Sequence, residues 1–147
     1  MHTIIAVARS ADHEFSKQLL NCIDLIKGEG VAGDCHRGVT VKHRSRVAVD
    51  PTQPNLRQVH LIHAELFDEL STFGHTVKPG QLGENITTRG IDLLALPRDT
   101  LLMLGKSAVI QLTGLRNPCH QIEDFQTGLL SKVVYKHVDG KKKKKTG

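Results

Sequence analysis

The C-terminal half of the chain is a series of short apolar runs separated by glycine and proline, and this pattern restricts the possible folds more than any other feature of the sequence. The runs IDLLAL, TLLML and AVIQLTG follow one another from Ile91 to Gly114, with turns at Pro97 and Gly105. Short strands at such regular spacing indicate a barrel or a strongly bent sheet. We therefore predict a mainly β fold.

The N-terminal half adds helices to this fold. The segment TIIAVA, Thr3 to Ala8, is apolar and β-branched and predicts a strand. Apolar residues recur at helical spacing from His13 to Lys27 and again from His63 to Gly74, and glycine ends both patterns. Cys22 lies beside the apolar face of the first predicted helix, so we expect a buried core thiol. The predicted fold class is α+β, mainly sheet with peripheral helices.

The net charge of +5 comes entirely from the run KKKKK, Lys141 to Lys145, without which 15 basic residues balance 15 acidic ones. A neutral body with no basic stripe argues against a nucleic-acid-binding module. A block of like charges is typically solvated. We predict one domain over residues 1–140 and a disordered Lys-rich tail over residues 141–147.

The sequence also bears on the compartment. The N-terminal segment MHTIIAVARS is too short for a signal peptide, and no apolar run approaches the ~18 residues needed to span a bilayer. The three cysteines are an odd number and lack CxxC spacing, which predicts free thiols in a reducing compartment. We expect a cytoplasmic protein without a membrane partner.

Two glycine-flanked segments concentrate polar residues at predicted loops. In GDCHRG, Asp34, His36 and Arg37 offer an acceptor, a titratable group and a fork suited to phosphate or carboxylate. In GENITTRG, hydroxyls and Arg89 are suited to an anionic ligand, although the segment is not a nucleotide-binding P-loop. An ordinary structural turn explains GDCHRG equally well, and GENITTRG on its own is weak evidence for a ligand site.

Cys119, in TGLRNPCHQI, is the strongest candidate for chemistry. Pro118 ends the preceding strand, and Arg116 and His120 bracket the thiol. Such neighbours lower a thiol pKa and favour the thiolate, the form that ligates a metal or attacks an electrophile. The residues alone leave a buried structural cysteine as the alternative.

Two further metal sites receive less support. The pairs Cys35-His36 and Cys119-His120 would supply four zinc ligands, but adjacent residues rarely direct both side chains at one ion. His60 and His63 lack a carboxylate partner at metal spacing, so we interpret them as surface or capping residues.

The ordered set GVAGDCHRG, LIHAELFDEL, GQLGENITTRGIDLLALPRDTLLMLG and VIQLTGLRNPCHQI resembles the MOSC domain, named for the C-terminus of molybdenum cofactor sulfurases. The similarity runs from about Gly30 to Leu130 and is greatest to small stand-alone members. The resemblance implies a β-barrel-like fold with peripheral helices. It also implies a site for the molybdenum cofactor, a pyranopterin that bears a phosphate, with Cys119 as a metal ligand or a sulfur carrier.

The same resemblance implies a set of cofactor-binding residues in the segments GDCHRG, GENITTRG and TGLRNPCHQI. Within it, Arg37, Asn85 and Arg89 are expected to face the anionic parts of the cofactor. The full set is Asp34, His36, Arg37, Glu84, Asn85, Thr87, Arg89, Thr113, Arg116 and Asn117.

The C-terminus departs from the family pattern. Family members continue beyond QTGLL through further barrel strands, whereas this chain passes through SKVVYKHVDG into the lysine run. We therefore expect a barrel that is incomplete at the C-terminus. An open sheet edge exposes unpaired backbone groups and favours pairing with another copy.

The function implied by the resemblance is that of an oxidoreductase. Molybdenum held by Cys119 would take electrons from a separate reductase and reduce an N-hydroxylated or N-oxygenated small molecule. The alternatives are a sulfur-carrier or cofactor-delivery protein that uses a Cys119 persulfide, and an inactive truncated isoform.

Overall fold

A four-stranded sheet forms the centre of the protein in the computed structural model, which describes residues 2–40, 48–50, 52, 54–116, 118–136 and 142–144. The strand order is β2-β1-β6-β5, and β1 is antiparallel to both of its neighbours whereas β5 is parallel to β6. The bounds are β1 Thr3–Arg9, β2 Gln18–Leu20, β5 Leu61–His63 and β6 Ile86–Arg89. The β-branched run predicted at the N-terminus is therefore a central strand.

Two-stranded ribbons add to the sheet structure of the described residues. They pair β3 with β4, β7 with β8 and β9 with β10, all antiparallel. The bounds are β3 Leu25–Ile26, β4 Gly30–Val31, β7 Leu101–Leu104, β8 Ala108–Gln111, β9 Val134–Lys136 and β10 Lys142–Lys144. The α+β class is confirmed, but within the described residues the strands do not close into a barrel. Part of the predicted Lys-rich tail thus forms a strand, while its disorder as a whole stays a prediction.

Short α-helices and a 3-10 turn pack around the sheets in the part of the chain that the structure describes. Helix α1 covers most of the segment in which a helix was predicted, and it buries Leu66, Phe67 and Leu70. Together with α2, α3 and Ile62 of β5, these side chains form one apolar core, and a second core lies between the central sheet and the β7-β8 ribbon. The bounds are α1 Glu65–Thr72, α2 His120–Phe125, α3 Leu129–Val133 and the 3-10 turn Leu93–Ala95.

The predicted helix from His13 to Lys27 is wrong, because this segment forms β2 and β3 instead. Leu20 pairs with Val7 of β1, so backbone pairing with the central sheet replaces local helical bonds. Cys22, predicted to be a core thiol, is exposed. Apolar spacing over a short segment does not distinguish the two structures when a neighbouring strand offers a ladder of hydrogen bonds.

Candidate functional site

Asp34 is the centre of a polar cluster that joins the GDCHRG loop to the central sheet. Its carboxylate is buried and accepts hydrogen bonds from Lys17 Nζ at 2.6 and 2.8 Å and from the Ser10 backbone N–H at 3.0 Å. Burial alone would raise the pKa of this carboxyl, but the contacts with His36, Lys17 and Ser10 hold it well below its usual range. Asp34 is therefore a carboxylate at every physiological pH.

Asn85 connects the second predicted segment, GENITTRG, to the Asp34 cluster. Its Nδ2 donates to the Ala8 carbonyl at 3.1 Å and to Asp34 Oδ1 at 3.2 Å, and its Oδ1 accepts from the His60 backbone N–H at 3.1 Å. The side chain is 1% exposed. Asn85 thus cross-links β1, the start of β5 and the Asp34 loop, so that two segments 51 positions apart in sequence meet.

Next to Asp34 lies a group of sulfur and imidazole side chains. Cys35 Sγ is 3.3 Å from His36 Nδ1, and the His13 ring meets the His36 ring edge-on with centroids 5.4 Å apart. Burial raises the pKa of the Cys35 thiol. The Asp34 contact would raise the pKa of His36, but burial and the Lys17 charge outweigh it and lower that pKa. Both groups are therefore neutral at neutral pH.

Arg116 supplies a second cation to this region. Its Nη2 donates to the Arg57 carbonyl at 2.9 Å. Burial, followed by the Arg57 charge, lowers the pKa of Arg116 to about 10. Across the described part of the chain, no carboxylate lies within ion-pairing distance of this guanidinium. A partly buried cation without a carboxylate partner favours an anionic ligand.

His60 contradicts the prediction that it is a surface or capping residue. The residue is 7% exposed, and its Nε2 is buried with no hydrogen-bond partner among the described residues. Burial, then the Arg116 charge, moves the pKa of His60 well below its ordinary value. The neutral ring therefore offers a polar atom to the interior, and an unpaired buried polar atom is costly unless a ligand satisfies it. The alternation in RQVHLI gave no signal for this burial, because it places His60 on the face opposite Val59 and Leu61.

The side chains of Glu84 and Thr87 are buried and are hydrogen-bonded to each other. Glu84 Oε1 accepts from the Gly80 backbone N–H and from Thr87 Oγ1 at 3.1 Å. Burial raises the pKa of Glu84, although these hydrogen bonds oppose the shift. In this structure the two side chains fix the turn between Gly80 and β6.

Three other predicted cofactor residues have partners elsewhere. Arg37 pairs with Glu29 at 3.2 Å and Arg89 with Asp68 at 2.9 Å, both on the surface. Thr113 Oγ1 donates to the Leu56 carbonyl at 2.6 Å. Asn117 lies outside the described residues. The structure therefore brings Asp34, His36, Asn85 and Arg116 into one region and engages Arg37, Arg89 and Thr113 in separate contacts. 

Cys119 is partly buried and precedes α2, with extended backbone geometry. Its Sγ lies 3.5 Å from Gln121 Oε1. The neighbours expected to bracket it point in other directions. The His120 ring is exposed and lies 4.0 Å from Asp124, and the Arg116 guanidinium reaches Arg57. These contacts therefore do not provide the cationic surrounding that the sequence predicts for the partly buried Cys119 thiol.

A cleft of about 960 Å³ lies beside the polar cluster. Apolar side chains of β1, β5 and β6 and of the β7-β8 ribbon line it, together with polar residues that include Asn55, Thr113, Asp24 and Lys27. Asn55 Nδ2 donates to the carbonyls of His36 at 2.7 Å and Gly38 at 2.9 Å. The cleft therefore borders the GDCHRG loop, and we assign the chemistry to the loop because its carboxylate, thiol and imidazole groups lie close together there.

The sequence comparison identifies the class of protein. The family model of the MOSC domain matches residues 31–147, and the chain belongs to this family. MOSC domains are associated with binding of the molybdenum cofactor. A search of curated proteins found no significant relative.

The structural comparison agrees on the fold. The crystal structure of the YuaD protein from Bacillus subtilis matches with a TM-score of 0.71 and 22% sequence identity, over 90% of this chain and 80% of that protein. Among the described residues, no helix is long and apolar enough to cross a membrane.

Sequence patterns missed several members of the cluster. Lys17 was assigned to a helix, whereas in the structure it forms an ion pair with Asp34, 17 positions away in sequence. His13 and Cys35 carried no motif spacing of their own. A glycine-flanked segment that contains Cys35, Asp34 and His36 in succession was the available signal for this part of the site.

Proposed function

We propose that the chain binds the molybdenum cofactor, with the Cys119 thiolate as a metal ligand and Arg116 directed at the anionic part of the pterin. The observation that carries this proposal is the Arg116 guanidinium, which is partly buried and lacks an ion-pair partner among the described residues. Membership of the MOSC family supports the choice of ligand.

The residues present fit such a group. A thiolate is a soft ligand suited to molybdenum in sulfur-rich coordination, and Cys119 is accessible. Arg116 suits a phosphate because its planar fork can donate two parallel hydrogen bonds. His60 Nε2, for which the described residues supply no hydrogen-bond partner, offers a neutral donor or acceptor to a polar ring.

The proposed reaction is the reduction of an N-hydroxylated or N-oxygenated small molecule. The bound metal centre would supply two-electron chemistry, with electrons delivered by a separate reductase. For an N-hydroxyl compound, two electrons and two protons cleave the N–O bond and release the amine and water. The chain contributes binding, orientation and partial exclusion of water.

The Lys17–Asp34 pair has a positioning role in this proposal. It fixes the GDCHRG loop against the start of β2, and it leaves Arg116 as a cation without an ion-pair partner among the described residues. We include in the proposal a folded domain over residues 1–140 with the barrel-like architecture that the family implies, and a Lys-rich tail over residues 141–147 of which Lys142–Lys144 pairs with β9.

The test is elemental analysis and pterin fluorescence of protein purified from a host that makes the molybdenum cofactor. We expect stoichiometric molybdenum and pterin in the natural chain, loss of molybdenum in Cys119→Ala, and unchanged molybdenum in the control Cys22→Ala, whose thiol is exposed. Arg116→Met should lower the pterin content, because the anionic group loses its partner.

Full molybdenum in Cys119→Ala would remove this residue from the metal. Absence of both molybdenum and pterin from the natural chain would overturn the cofactor proposal. Intact-mass measurement after incubation with a cysteine desulfurase tests the sulfur-carrier alternative, because a persulfide on Cys119 adds one labile sulfur atom.

A further inference from the structure

We propose that His13, Cys35 and His36 form a second metal site, separate from Cys119, that binds a divalent transition ion of the zinc and cobalt type. One ligand atom from each of these three side chains lies within 4.8 Å of the other two. The arrangement stands independently of the molybdenum proposal, because it uses none of the atoms assigned there.

The donor set selects the class of metal. Two imidazole nitrogens and one thiolate suit zinc and cobalt, whereas magnesium and calcium prefer oxygen ligands. Three protein ligands leave one tetrahedral position open, as in zinc sites that hold an exchangeable water. The proposed site is therefore of the open type, with solvent or a small ligand in the fourth position.

The distances are close to those of a metal centre. With zinc–sulfur and zinc–nitrogen bonds of about 2.3 and 2.0 Å, two tetrahedral ligands lie about 3.5 Å apart. Cys35 Sγ and His36 Nδ1 are already 3.3 Å apart. His13 is exposed, so rotation of its side chain can bring it into the coordination sphere with little disturbance of the packing. The adjacent residues Cys35 and His36 therefore direct their side chains at one point. This differs from the general expectation that neighbouring residues rarely ligate the same ion.

Hydrogen bonds fix the loop that carries two of the ligands. The Cys35 backbone N–H donates to the Ser10 carbonyl at 2.7 Å, and the His36 backbone N–H donates to Asp34 Oδ2 at 3.1 Å. The Asn55 amide holds the His36 carbonyl from the other side. Such outer contacts orient metal ligands and reduce the entropy lost on binding.

The nearby charges are mixed, because the Lys17 and Arg116 cations oppose a metal ion at this point and the Asp34 carboxylate favours one. Lys17 Nζ is 3.4 Å from His36 Nδ1, but the Asp34 carboxylate pairs with the ammonium and also lies 3.6 Å from the same ring nitrogen. Binding displaces the Cys35 thiol proton into solvent, so the thiolate offsets one of the two charges of the ion. The oxidation state of the metal does not change.

The test is a titration of the full chain with Co²⁺, using protein from a host that does not make the molybdenum cofactor. We expect a thiolate-to-cobalt charge-transfer band together with the visible bands of tetrahedral cobalt. Zn²⁺ should displace the cobalt and abolish these bands. The preparation without molybdenum separates this test from the previous one.

Three variants assign the ligands. Cys35→Ser should abolish the charge-transfer band, and His13→Ala should weaken Co²⁺ binding by on the order of tenfold or more, the loss seen even when an outer partner of a metal ligand is removed. Cys22→Ser and Cys119→Ala are the controls and should retain the full spectrum. Because His13 is exposed, its replacement should leave the circular dichroism unchanged.

A charge-transfer band that persists in Cys35→Ser, or that disappears in Cys119→Ala, would overturn the assignment. A natural chain that binds no Co²⁺ would remove the site altogether. Unchanged affinity in a folded His13→Ala variant would exclude His13 as a ligand and contradict the three-residue site.

Discussion

Replacement of Lys17 by methionine tests whether the buried ion pair with Asp34 anchors the functional loop. The Lys17 and Asp34 side chains are 2% and 0% exposed, and the ammonium contacts both carboxylate oxygens. Methionine keeps most of the side-chain volume and removes the charge. The variant therefore leaves a buried carboxylate with its remaining donors, which are the Ser10 and His36 backbone N–H groups and Asn85 Nδ2.

Breaking one side of a buried ion pair costs about 3–5 kcal/mol, because the other charge stays uncompensated in a poorly solvated place. The three remaining hydrogen bonds keep the expected cost near the lower end, about 3 kcal/mol. A domain of this size is stable by roughly 5–15 kcal/mol, so the change is a large fraction of the total.

The assay is urea unfolding followed by far-ultraviolet circular dichroism. The matched control is Arg37→Met, which breaks the exposed pair with Glu29 and should cost less than about 1 kcal/mol. A Lys17→Met/Asp34→Asn double variant should recover much of the loss, because it removes the unpaired charge as well.

The pH dependence gives a second measurement. The native pKa of Asp34 lies below its unfolded value, so its ionisation stabilises the natural chain above the usual aspartate range, and this contribution is lost as the pH falls through the native pKa. Without Lys17 the native pKa rises. The difference in unfolding free energy between the two proteins should therefore shrink as the medium becomes acidic below that range. A loss equal to that of the Arg37→Met control, or one independent of pH, would refute the anchoring role.

Two further predictions concern the segment that packs against Lys17. Gly80→Ala should destabilise the fold by roughly 1–3 kcal/mol more than Gly74→Ala in urea unfolding. The backbone φ angle is +84° at both glycines, so the backbone strain is the same. A Cβ at Gly80 would lie 2.7 Å from the Lys17 carbonyl oxygen, whereas a Cβ at Gly74 meets nothing within 4 Å. Equal losses of unfolding free energy in the two variants would show that the turn at Gly80 accommodates a Cβ without strain. Glu84→Gln should reduce the pH dependence of stability: the native pKa of Glu84 is raised, so the stabilising effect of its protonated form is present at low pH and lost as the pH rises through that pKa. Unfolding midpoints of Glu84→Gln that follow those of the natural chain at every pH would contradict this assignment.

Much of the class and part of the site could be predicted from the sequence. The β-branched run at Thr3 to Ala8 and the helical pattern after His63 became β1 and α1, because each pattern agrees with the packing of the element it forms. The ordered set of four segments was sufficient to indicate the family, which the match over residues 31–147 confirms. Local composition also singled out Cys119, although its role as a ligand stays a prediction.

The tertiary structure alone decided which of these residues meet. Lys17 and His60 look like ordinary surface residues in sequence, yet one pairs with Asp34 and the other is buried beside Arg116. Their environments depend on strand pairing between distant segments, which also turned the predicted helix from His13 to Lys27 into strands. Local patterns specify which faces are apolar, whereas the position of a buried charge depends on which distant partner can neutralise it, and only the folded chain brings those partners together.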